Sequence, residues 1–342
     1  MPARRGIGAG ARPNDALPLS ARVFAQLADG RFHSGEALAA RLGVSRGAIW
    51  KAVRGLRGLG TVVHAVPNRG YRMVAAAEPL DAAKILEHLT AQTRGILRRL
   101  ETAWCVDSTN SMLLARPNPE FGVSEALLAE YQTAGRGRRG RAWLAPPGGA
   151  ICLSQSWSFR EAPADLGALG LAIGVCLLRA LRRAGLEGGL KWPNDILVAG
   201  RKLGGILLEL RAESAGPACV VIGVGLNAAL GEPLRQRIAT MGLPATDLVS
   251  AGVTLSRNVV AAAIIDEVTQ GLCRFEREAL RPFIEEWRVA DVLRGTQIDV
   301  QTTAGVARGL ARGIDLHGAL LVETPQGVRR FISGEVTVRP MS

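Results

Sequence analysis

The sequence predicts an α+β protein of three units: a small helical domain with a β-hairpin, a central domain with a mixed sheet, and a small C-terminal β-barrel. Helix patterns with clear start and stop signals fill residues 19 to about 60, and a hairpin pattern follows them. Short strand patterns at the other end predict the barrel, with glycines at 295, 305, 309, 313, 318, 327 and 334. We expect a disordered tail over 1–18 and the three units over 19–76, 77–290 and 291–342.

Length, cysteine content and hydropathy limit the classes of protein to which the chain can belong. At 342 residues, 48% of them hydrophobic, the chain is long for one domain and apolar enough for more than one core. Five cysteines, none in a C-x-x-C pair, favour reduced thiols in the cytoplasm over a disulfide or zinc framework. The most apolar run, Leu166 to Leu178, is too short to span a bilayer, and no signal-peptide pattern is present, so no membrane partner is expected.

The first unit carries most of the positive charge. Residues 1–74 contain twelve Arg and Lys against three Asp and Glu, a surplus of nine within a net charge of +12. A basic segment of this kind is typical of proteins that bind a nucleic-acid backbone. A merely solvated surface fits the charge equally well, so the pattern of elements has to decide between them.

The elements of this unit have the spacing of a helix-turn-helix. An amphipathic helix is predicted from Leu19 to Asp29. Ser34 is the expected N-cap of a second, short helix, which Gly43 ends, and Ser45 is the expected N-cap of a third. Residues 62–74 then predict a hairpin, so that the unit is a winged helix-turn-helix.

The third helix is the candidate DNA reader. Ile49, Val53 and Leu56 recur at i, i+4 and i+7 and are expected to face inward. Arg57 is predicted on the opposite, basic face, although Gly55 and Gly58 weaken the helix. The expected DNA contacts on this helix and at the hairpin tip are Ser45, Arg46, Trp50, Lys51, Arg54 and Arg69.

Trp50 leaves two interpretations open. Its ring either stacks on a deoxyribose or thymine methyl, or packs on a neighbouring domain. The second is the commoner role of a lone tryptophan on a helix, and we expect it here.

The central unit contains a loop of alternating arginine and glycine. Residues 130–141 read EYQTAGRGRRGR, with four arginines in the last six positions. Such charges repel one another unless an anion holds them, and the glycines let backbone N–H groups approach the same anion. A solvated loop or a disordered RNA-binding tract is the alternative. The flanking patterns favour an ordered loop, because the apolar run 126–129 precedes it and a half-buried strand pattern over 151–159 follows.

Three more motifs surround this loop in the sequence. They are Asp107-Ser108-Thr109-Asn110 at a predicted helix start, Lys191-Trp192-Pro193-Asn194-Asp195, and Arg201-Lys202-Leu203-Gly204-Gly205-Ile206. Taken alone, the first is most often a helix cap and Lys202 an ordinary turn lysine. A strand over 218–227 contains Gly223 and Gly225, but a dinucleotide site is excluded because no G-x-G-x-x-G follows. A buried helix is predicted over 166–183, and a long helix that closes the domain is predicted over 256–280.

Together these four motifs resemble the signature of the biotin protein ligases, in the same order and near the same spacing. The match extends to both termini, so the chain resembles the long form that combines a biotin ligase with a biotin operon repressor. The resemblance implies a central fold like the class II synthetase and lipoate ligase cores and an SH3-like C-terminal barrel.

The resemblance also implies site residues. Lys202 and Arg138 would be catalytic, with Asp195 as one candidate for the base, whose identity stays open. Biotin would be held by Ser108, Thr109, Asn110, Gln132, Gly135, Arg136, Gly137, Arg138, Lys202 and Gly205. The nucleotide would be held by Arg138, Arg139, Arg141, Lys191, Asn194 and Asn227. ATP and Mg²⁺ would take part, and no protein metal ligand is assigned.

The resemblance implies a two-step reaction whose intermediate, biotinyl-AMP, serves both a carrier protein and DNA binding. Biotin and ATP form biotinyl-AMP, and a lysine of the biotin carboxyl carrier protein then takes the biotin. The same intermediate would favour a homodimer that binds operator DNA. Three alternatives stay open: a lipoate or octanoyl transferase, a metabolite-binding repressor without turnover, and a ligase whose winged domain no longer binds DNA.

Overall fold

The computed structural model describes residues 8–10, 17–161, 163, 165–212, 218–240, 242, 244–302 and 305–338. The N-terminal unit is a three-helix domain with a hairpin wing, as predicted. Its elements are α1 (Leu19–Leu27), α2 (Gly35–Leu42), α3 (Arg46–Gly58), β2 (Val63–Val66) and β3 (Gly70–Met73).

Local signals explain where these helices begin and end. The Ser34 hydroxyl accepts the Ala37 N–H at the start of α2, and Gly43 ends this helix in the left-handed conformation with φ 66°. The Ser45 hydroxyl caps α3 in the same way. The core of the unit is built from Val23, Phe24, Leu27, Leu38, Ile49, Val53 and Leu56, which are all buried.

The central unit is built on one mixed eight-stranded sheet, which confirms the predicted fold class. Its strands lie in the order β1-β4-β5-β6-β10-β9-β8-β7, with parallel pairing at β1–β4 and β4–β5 and antiparallel pairing elsewhere. They are β1 (Gly8–Gly10), β4 (Leu97–Val106), β5 (Ser124–Gln132), β6 (Ala150–Phe159), β7 (Gly189–Lys191), β8 (Asp195–Val198), β9 (Arg201–Ala212) and β10 (Ala218–Asn227).

Helices cover both faces of this sheet. The two longest, α7 (Leu169–Arg183) and α9 (Arg257–Glu278), pack on one face, and α6 (Thr109–Leu114) lies against β5, β6 and β10. The expected half-buried pattern of β6 is therefore wrong, because all ten residues of this strand are buried. The remaining helices are α4 (Ala82–His88), α5 (Ala91–Ile96), α8 (Glu232–Ala239) and α10 (Ile284–Ala290).

Two predicted segments need correction. The tail over 1–18 is not wholly disordered, because β1 pairs with residues 99–101 of β4; residues 1–7 and 11–16 lie outside the described part. The helix predicted from Leu166 begins as a short 3₁₀ turn, and α7 starts at Leu169. Ala168 of the turn and the apolar residues of α7 are buried, whereas Leu166 is partly buried.

The C-terminal unit is a five-stranded antiparallel sheet, as expected of an SH3-like barrel. Its strands lie in the order β14-β13-β12-β11-β15. They are β11 (Gln297–Thr302), β12 (Gly305–Ile314), β13 (Leu320–Thr324), β14 (Gly327–Phe331) and β15 (Glu335–Val338). The unit is fixed to the central domain, since the Trp192 indole N–H donates to the Gly318 carbonyl oxygen at 3.1 Å.

A buried ion pair holds the junction between the N-terminal and central units. Arg257 at the start of α9 donates to both carboxylate oxygens of Glu130 at 3.0 Å, and to the carbonyl oxygen of Glu78 in the linker. Glu130 also accepts the backbone N–H groups of Leu80 and Gly148. Among the described residues, no helix is both long and apolar enough to cross a membrane.

Asp291 lies where the central and C-terminal units join, and it gives a pH prediction. Its Oδ1 accepts the Leu293 N–H, while its buried Oδ2 has no hydrogen-bond partner in the described part of the chain. Burial raises the pKa of Asp291 from its usual 3.8 to about 6. Ionising this group therefore costs folded-state stability, and this cost grows as pH rises from about 4 and is complete above about 6.

We expect Asp291→Asn to raise the free energy of unfolding, relative to the wild type, by about 1–3 kcal/mol more at pH 8 than at pH 4. Urea unfolding of both proteins across this range measures the difference. The surface substitution Glu187→Gln is the control and should give no comparable rise. A difference that stayed flat between pH 4 and 8 would contradict the assignment of the buried ionised form.

Candidate active site

A cavity of about 650 Å³ opens at one end of the central sheet, where all the predicted motifs meet. Its wall includes fourteen of the predicted site residues: Ser108, Thr109, Asn110, Gln132, Arg136, Gly137, Arg138, Arg141, Lys191, Asn194, Asp195, Lys202, Gly205 and Asn227. Gly135 and Arg139 belong to the same loop but do not line the cavity. Residues 334–338 of the C-terminal sheet complete the wall.

The Arg-Gly loop is an ordered hairpin-like turn. The Gly137 N–H donates to the Arg141 carbonyl at 2.7 Å, and the Trp143 N–H donates to the Gly135 carbonyl at 2.8 Å. A Cβ at position 135 would lie 2.9 Å from the Trp143 carbonyl oxygen, so this glycine is needed for the close approach of the two arms. Gly135 thus shapes the loop from outside the cavity.

Protein carboxylates neutralise three of the four arginines in this loop. Arg136 pairs with Glu209 at 3.0 Å, and both Arg139 and Arg141 pair with Glu335 from β15. Arg138 has no ion-pair partner among the described residues and contacts the Asn194 side-chain oxygen at 3.4 Å. Burial, and then the charge of Arg139, lower the pKa of Arg138. Arg138 is therefore the arginine of this loop that is free to bind the expected anion.

Two lysines and a carboxylate lie beside Arg138. The Lys202 ammonium donates to Asp195 Oδ1 at 2.5 Å across the β8–β9 turn. Lys191 is 8% exposed, and its ammonium group makes no hydrogen bond or ion pair with any residue that the structure describes. Burial lowers the pKa of Lys191, and Lys202 adds to this effect. Gly205 lies beside this pair, since a Cβ at position 205 would be 3.6 Å from both Asp195 and Lys202.

The other end of the cavity is polar, and the one arginine near it, Arg136, is paired with Glu209. Gln132 accepts the Thr109 N–H at 2.8 Å, which joins the end of β5 to the start of α6. The Ser108 hydroxyl caps this helix by accepting the Ser111 N–H, so capping and cavity lining coincide in one residue. Asn110 is buried behind Thr109.

Sequence reasoning missed several residues of the site. Trp143 lies against Gly225, where a Cβ would be 2.6 Å from the indole ring, and its own indole N–H has no partner among the described residues. The alternating glycines of β10 carried this signal, since glycine within a strand marks a close approach. Glu335 carried none, because it lies 194 residues from Arg141 in the chain.

Hydrogen bonds to two backbone carbonyl groups hold the Asn227 side chain in place. Its side-chain amide donates to the carbonyl oxygens of Thr246 at 3.0 Å and Lys202 at 3.4 Å. The amide nitrogen is thereby engaged in keeping the start of β9 in place. Its predicted contact with a nucleotide stays a prediction.

The basic face of α3 is exposed, and one of its residues is bound to the wing. Arg46, Trp50, Lys51, Arg54 and Arg57 are all exposed, and Arg57 also donates to the Val63 carbonyl oxygen of the wing. The expected packing of Trp50 on a neighbouring domain is wrong, because its side chain is 52% exposed, and the Arg54 guanidinium lies 5.5 Å from its ring. Arg69 at the wing tip lies over the Phe32 ring at 4.3 Å.

The cavity wall offers few side chains that could coordinate a metal ion. The described residues contain no group of three or more His, Cys, Asp or Glu that could hold a metal ion. Asp195 and Glu335 are the carboxylates of the wall, and each is already paired with a cation. This donor set fits an ion that arrives with phosphate and water ligands and needs one carboxylate at most.

Comparison with known proteins gives matches along the whole chain. Family models match at residues 21–72 (HTH domain), 103–227 (Biotin/lipoate A/B protein ligase family) and 295–339 (Biotin protein ligase C terminal domain). The bifunctional ligase/repressor BirA of Salmonella typhimurium is 38% identical over 94% of this chain and 98% of its own length.

Two further relatives each cover about seven tenths of the chain. The biotin–[acetyl-CoA-carboxylase] ligase of Mycobacterium tuberculosis is 34% identical over 72% of this chain and 90% of its own. The structure of the biotin protein ligase from Aquifex aeolicus in complex with biotin and ATP superposes with a TM-score of 0.58 at 25% identity, covering 71% of this chain and 99% of that one.

The link between Glu335 and the Arg-Gly loop can be tested without a ligand. Glu335→Gln should free Arg139 and Arg141, and trypsin should then cut after these residues about two- to fivefold faster, as expected for a partly exposed ion pair. Mass spectrometry of the fragments gives the rates. Glu323→Gln in the same sheet removes the pair with Arg312 and serves as the matched control. Equal cleavage rates in the two variants would rule out a restraint by Glu335.

Proposed function

The chain belongs to the biotin protein ligase family, in its bifunctional ligase/repressor form, and from this we propose how its residues carry both activities. As a ligase it activates biotin with ATP to biotinyl-AMP and transfers biotin to a lysine of the biotin carboxyl carrier protein. As a repressor it binds the operator DNA of biotin-synthesis genes. All these reactants are cytoplasmic, so we assign the protein to the cytoplasm.

The polarity of the cavity carries the ligase proposal. One end has neutral hydrogen-bonding groups at Thr109 and Gln132, the wall has the apolar Trp143, and the other end has the cations Arg138 and Lys202. Biotin has the same sequence of features: a neutral ureido ring, an apolar chain and a carboxylate. A cavity of about 650 Å³ lies within the range of small-molecule sites and leaves room for AMP beyond the carboxylate.

The first step joins two anions, so positive charge must offset their repulsion. The biotin carboxylate attacks the α-phosphorus of ATP, and pyrophosphate leaves. Lys202 and Arg138 stabilise the charge that builds up between the reacting groups, and Lys191 and Arg141 extend this cationic wall along the phosphates. Mg²⁺ bound to the phosphates would supply further positive charge, with Asp195 or Glu335 as its nearest protein ligand.

The second step needs a neutral lysine amine from the carrier protein. The amine attacks the mixed anhydride, an amide bond forms, and AMP leaves with the electron pair of the broken bond. Asp195 is our candidate base, because its carboxylate lies in the cavity wall 2.5 Å from Lys202. Loss of that ion pair, once Lys202 turns to the anhydride, would free Asp195 for the incoming amine.

Lys202→Ala should slow adenylation by about 2–4 kcal/mol in activation free energy, as is typical for the loss of one preorganised charge. The fold should persist, since Lys202 is partly exposed in a turn. Pyrophosphate release with ATP and biotin measures the step, and lipoate in place of biotin should give none with the wild type.

The exposed Lys84 provides the matched control for this substitution. Lys84→Ala should keep the wild-type rate. Near-normal release from Lys202→Ala would remove Lys202 from the catalytic step, and release with lipoate but not biotin would favour a lipoate ligase.

Support for a dimer comes from strand β9. Beyond Gly205 its outer edge has no partner strand in the described part of the chain, and Leu210 is 55% exposed there. An open edge of this kind can pair with the same edge of a second copy. We propose that biotinyl-AMP binds Arg138 of the folded Arg-Gly loop, restrains the loop beside this edge and thereby favours the dimer, which presents two winged domains to two half-sites.

With biotin and ATP, the protein should dimerise and shift a biotin-operon fragment cooperatively, whereas the unliganded protein should bind DNA only weakly and with a steep salt dependence. Arg54→Ala should weaken operator binding by about 1–3 kcal/mol and leave ligase activity unchanged. Gel shifts and sedimentation measure binding and assembly. Arg308→Ala, in the C-terminal sheet, removes the same charge far from α3 and should have no effect. Operator affinity indifferent to ligand would exclude the coupling.

A further inference from the structure

Two arginines of the wing lie over one aromatic ring. The guanidinium carbon of Arg69 is 4.3 Å from the centroid of the Phe32 ring, and that of Arg72 is 5.0 Å from it. Phe32 lies in the link between α1 and α2, and its half-buried side chain does not pack against the core of the N-terminal unit. The ring therefore packs on two cations rather than in the core.

Backbone pairing places this ring beside the wing. His33 and Tyr71 exchange both of their backbone hydrogen bonds at 2.8 Å, in an antiparallel bridge. This register sets Phe32 opposite Arg72, so that the two side chains leave the same face of the pair. Gly70, the first residue of β3, has φ 95°, and a Cβ there would lie 2.0 Å from the His33 carbonyl oxygen. The wing is therefore fixed against the link that carries the ring.

Neither of the two guanidinium groups is neutralised by a carboxylate. They make no ion pair or hydrogen bond with any residue that the structure describes, and the Nε atom of Arg72 is buried without a partner. Asp29, the acid of the same link, is bound by the His33 ring and the Arg31 N–H instead. The negative face of the Phe32 ring attracts both cations and offsets part of their repulsion. The wing thus holds two neighbouring positive charges that lack a counter-ion.

A DNA phosphate is the counter-ion that this position favours. Residues 1–74 carry a surplus of nine positive charges, and α3 of the same unit has an exposed basic face. Arginine side chains bind phosphate oxygens strongly, and such contacts fix a protein on the duplex without reading its sequence. Two long side chains that are already held in place also lose less conformational entropy when they bind.

We propose that Phe32 is a positioning residue that holds Arg69 and Arg72 as a pair for contact with the DNA backbone. This inference rests on the proposed function, in which the winged unit binds operator DNA. It adds Arg72 to the expected DNA contacts and gives the link between α1 and α2 a role in binding. Because the pair contacts phosphate, it strengthens binding to any duplex and leaves the preference for the operator to α3.

Phe32→Leu removes the ring and keeps an apolar side chain in the link. With biotin and ATP present, we expect this variant to bind an operator fragment about five- to tenfold more weakly, because two cation–π contacts are lost. Binding to a scrambled duplex of equal length should weaken by the same factor, since phosphate contacts do not depend on sequence. Phe32→Tyr keeps the ring and should bind both duplexes as the wild type does. Fluorescence anisotropy measures the affinities.

A merely structural role of the ring would give the same loss whichever side chains the wing carries. If the ring acts through the arginines, the loss caused by Phe32→Leu should fall below about twofold in a protein that also carries Arg69→Ala and Arg72→Ala. Arg72→Ala alone should reduce the salt dependence of binding by about one phosphate contact. Phe121→Leu is the matched control and should change neither affinity, because it removes an exposed ring 5.4 Å from the Arg160 guanidinium in the central unit.

The two duplexes separate this inference from the function on which it rests. Equal affinity of the wild type for the operator and the scrambled duplex would overturn the repressor function, and the effect of Phe32→Leu on the scrambled duplex would still test the positioning role. Wild-type affinity of Phe32→Leu for both duplexes, or an undiminished loss in the protein without the two arginines, would overturn that role. A loss that disappears in that protein, with the ligase activity of Phe32→Leu unchanged, would support it.

Discussion

The buried pair of Glu130 and Arg257 is the interaction on which the arrangement of the molecule depends. Both side chains are less than 8% exposed, and together they hold backbone groups of residues 78, 80, 148 and 150. Leaving one of two buried charges without its partner costs about 3–5 kcal/mol. Both ends of the segment that forms the Arg-Gly loop are therefore fixed, since Glu130 precedes it and Gly148 follows it.

Because its ends are fixed, the tip of the loop can change conformation without displacing the residues on either side. The loop and these flanking residues also contact the other two units. Gly148 packs against Phe24 and Ala77 of the N-terminal side, and Phe24 contacts Trp104 of β4 at a ring distance of 5.4 Å. At its tip the loop reaches Glu335 of the C-terminal sheet. A ligand held by this loop thus touches a segment in contact with all three units, which gives a physical route from the cavity to the winged domain.

A structural feature could be predicted from the sequence when the residues that determine it are close together in the chain. Ser34, Gly43 and Ser45 act within four residues of themselves, and the helices that they delimit lie where the sequence predicts them. The motifs around the cavity were found because each is a short run with unusual residues. Glu209 and Glu335 are ordinary acids in ordinary strands, and only the folded sheet brings them to Arg136 and Arg141. The two-sided burial of β6 was missed for the same reason, since its serines bond to residues distant in the chain.

The distribution of charge in the Arg-Gly loop explains why an arginine-rich loop can be both stable and selective. If all four arginines faced the cavity without partners, their mutual repulsion would hold the loop open until a polyanion arrived. Glu209 and Glu335 remove that repulsion for three of them and leave Arg138 and the unpaired Lys191 as the cations available to phosphate. Asp195 holds Lys202 in the meantime, so an incoming carboxylate replaces one anion by another rather than desolvating a free ammonium. The substrate therefore enters a site whose cations are already in place, and its carboxylate takes over Lys202 from Asp195.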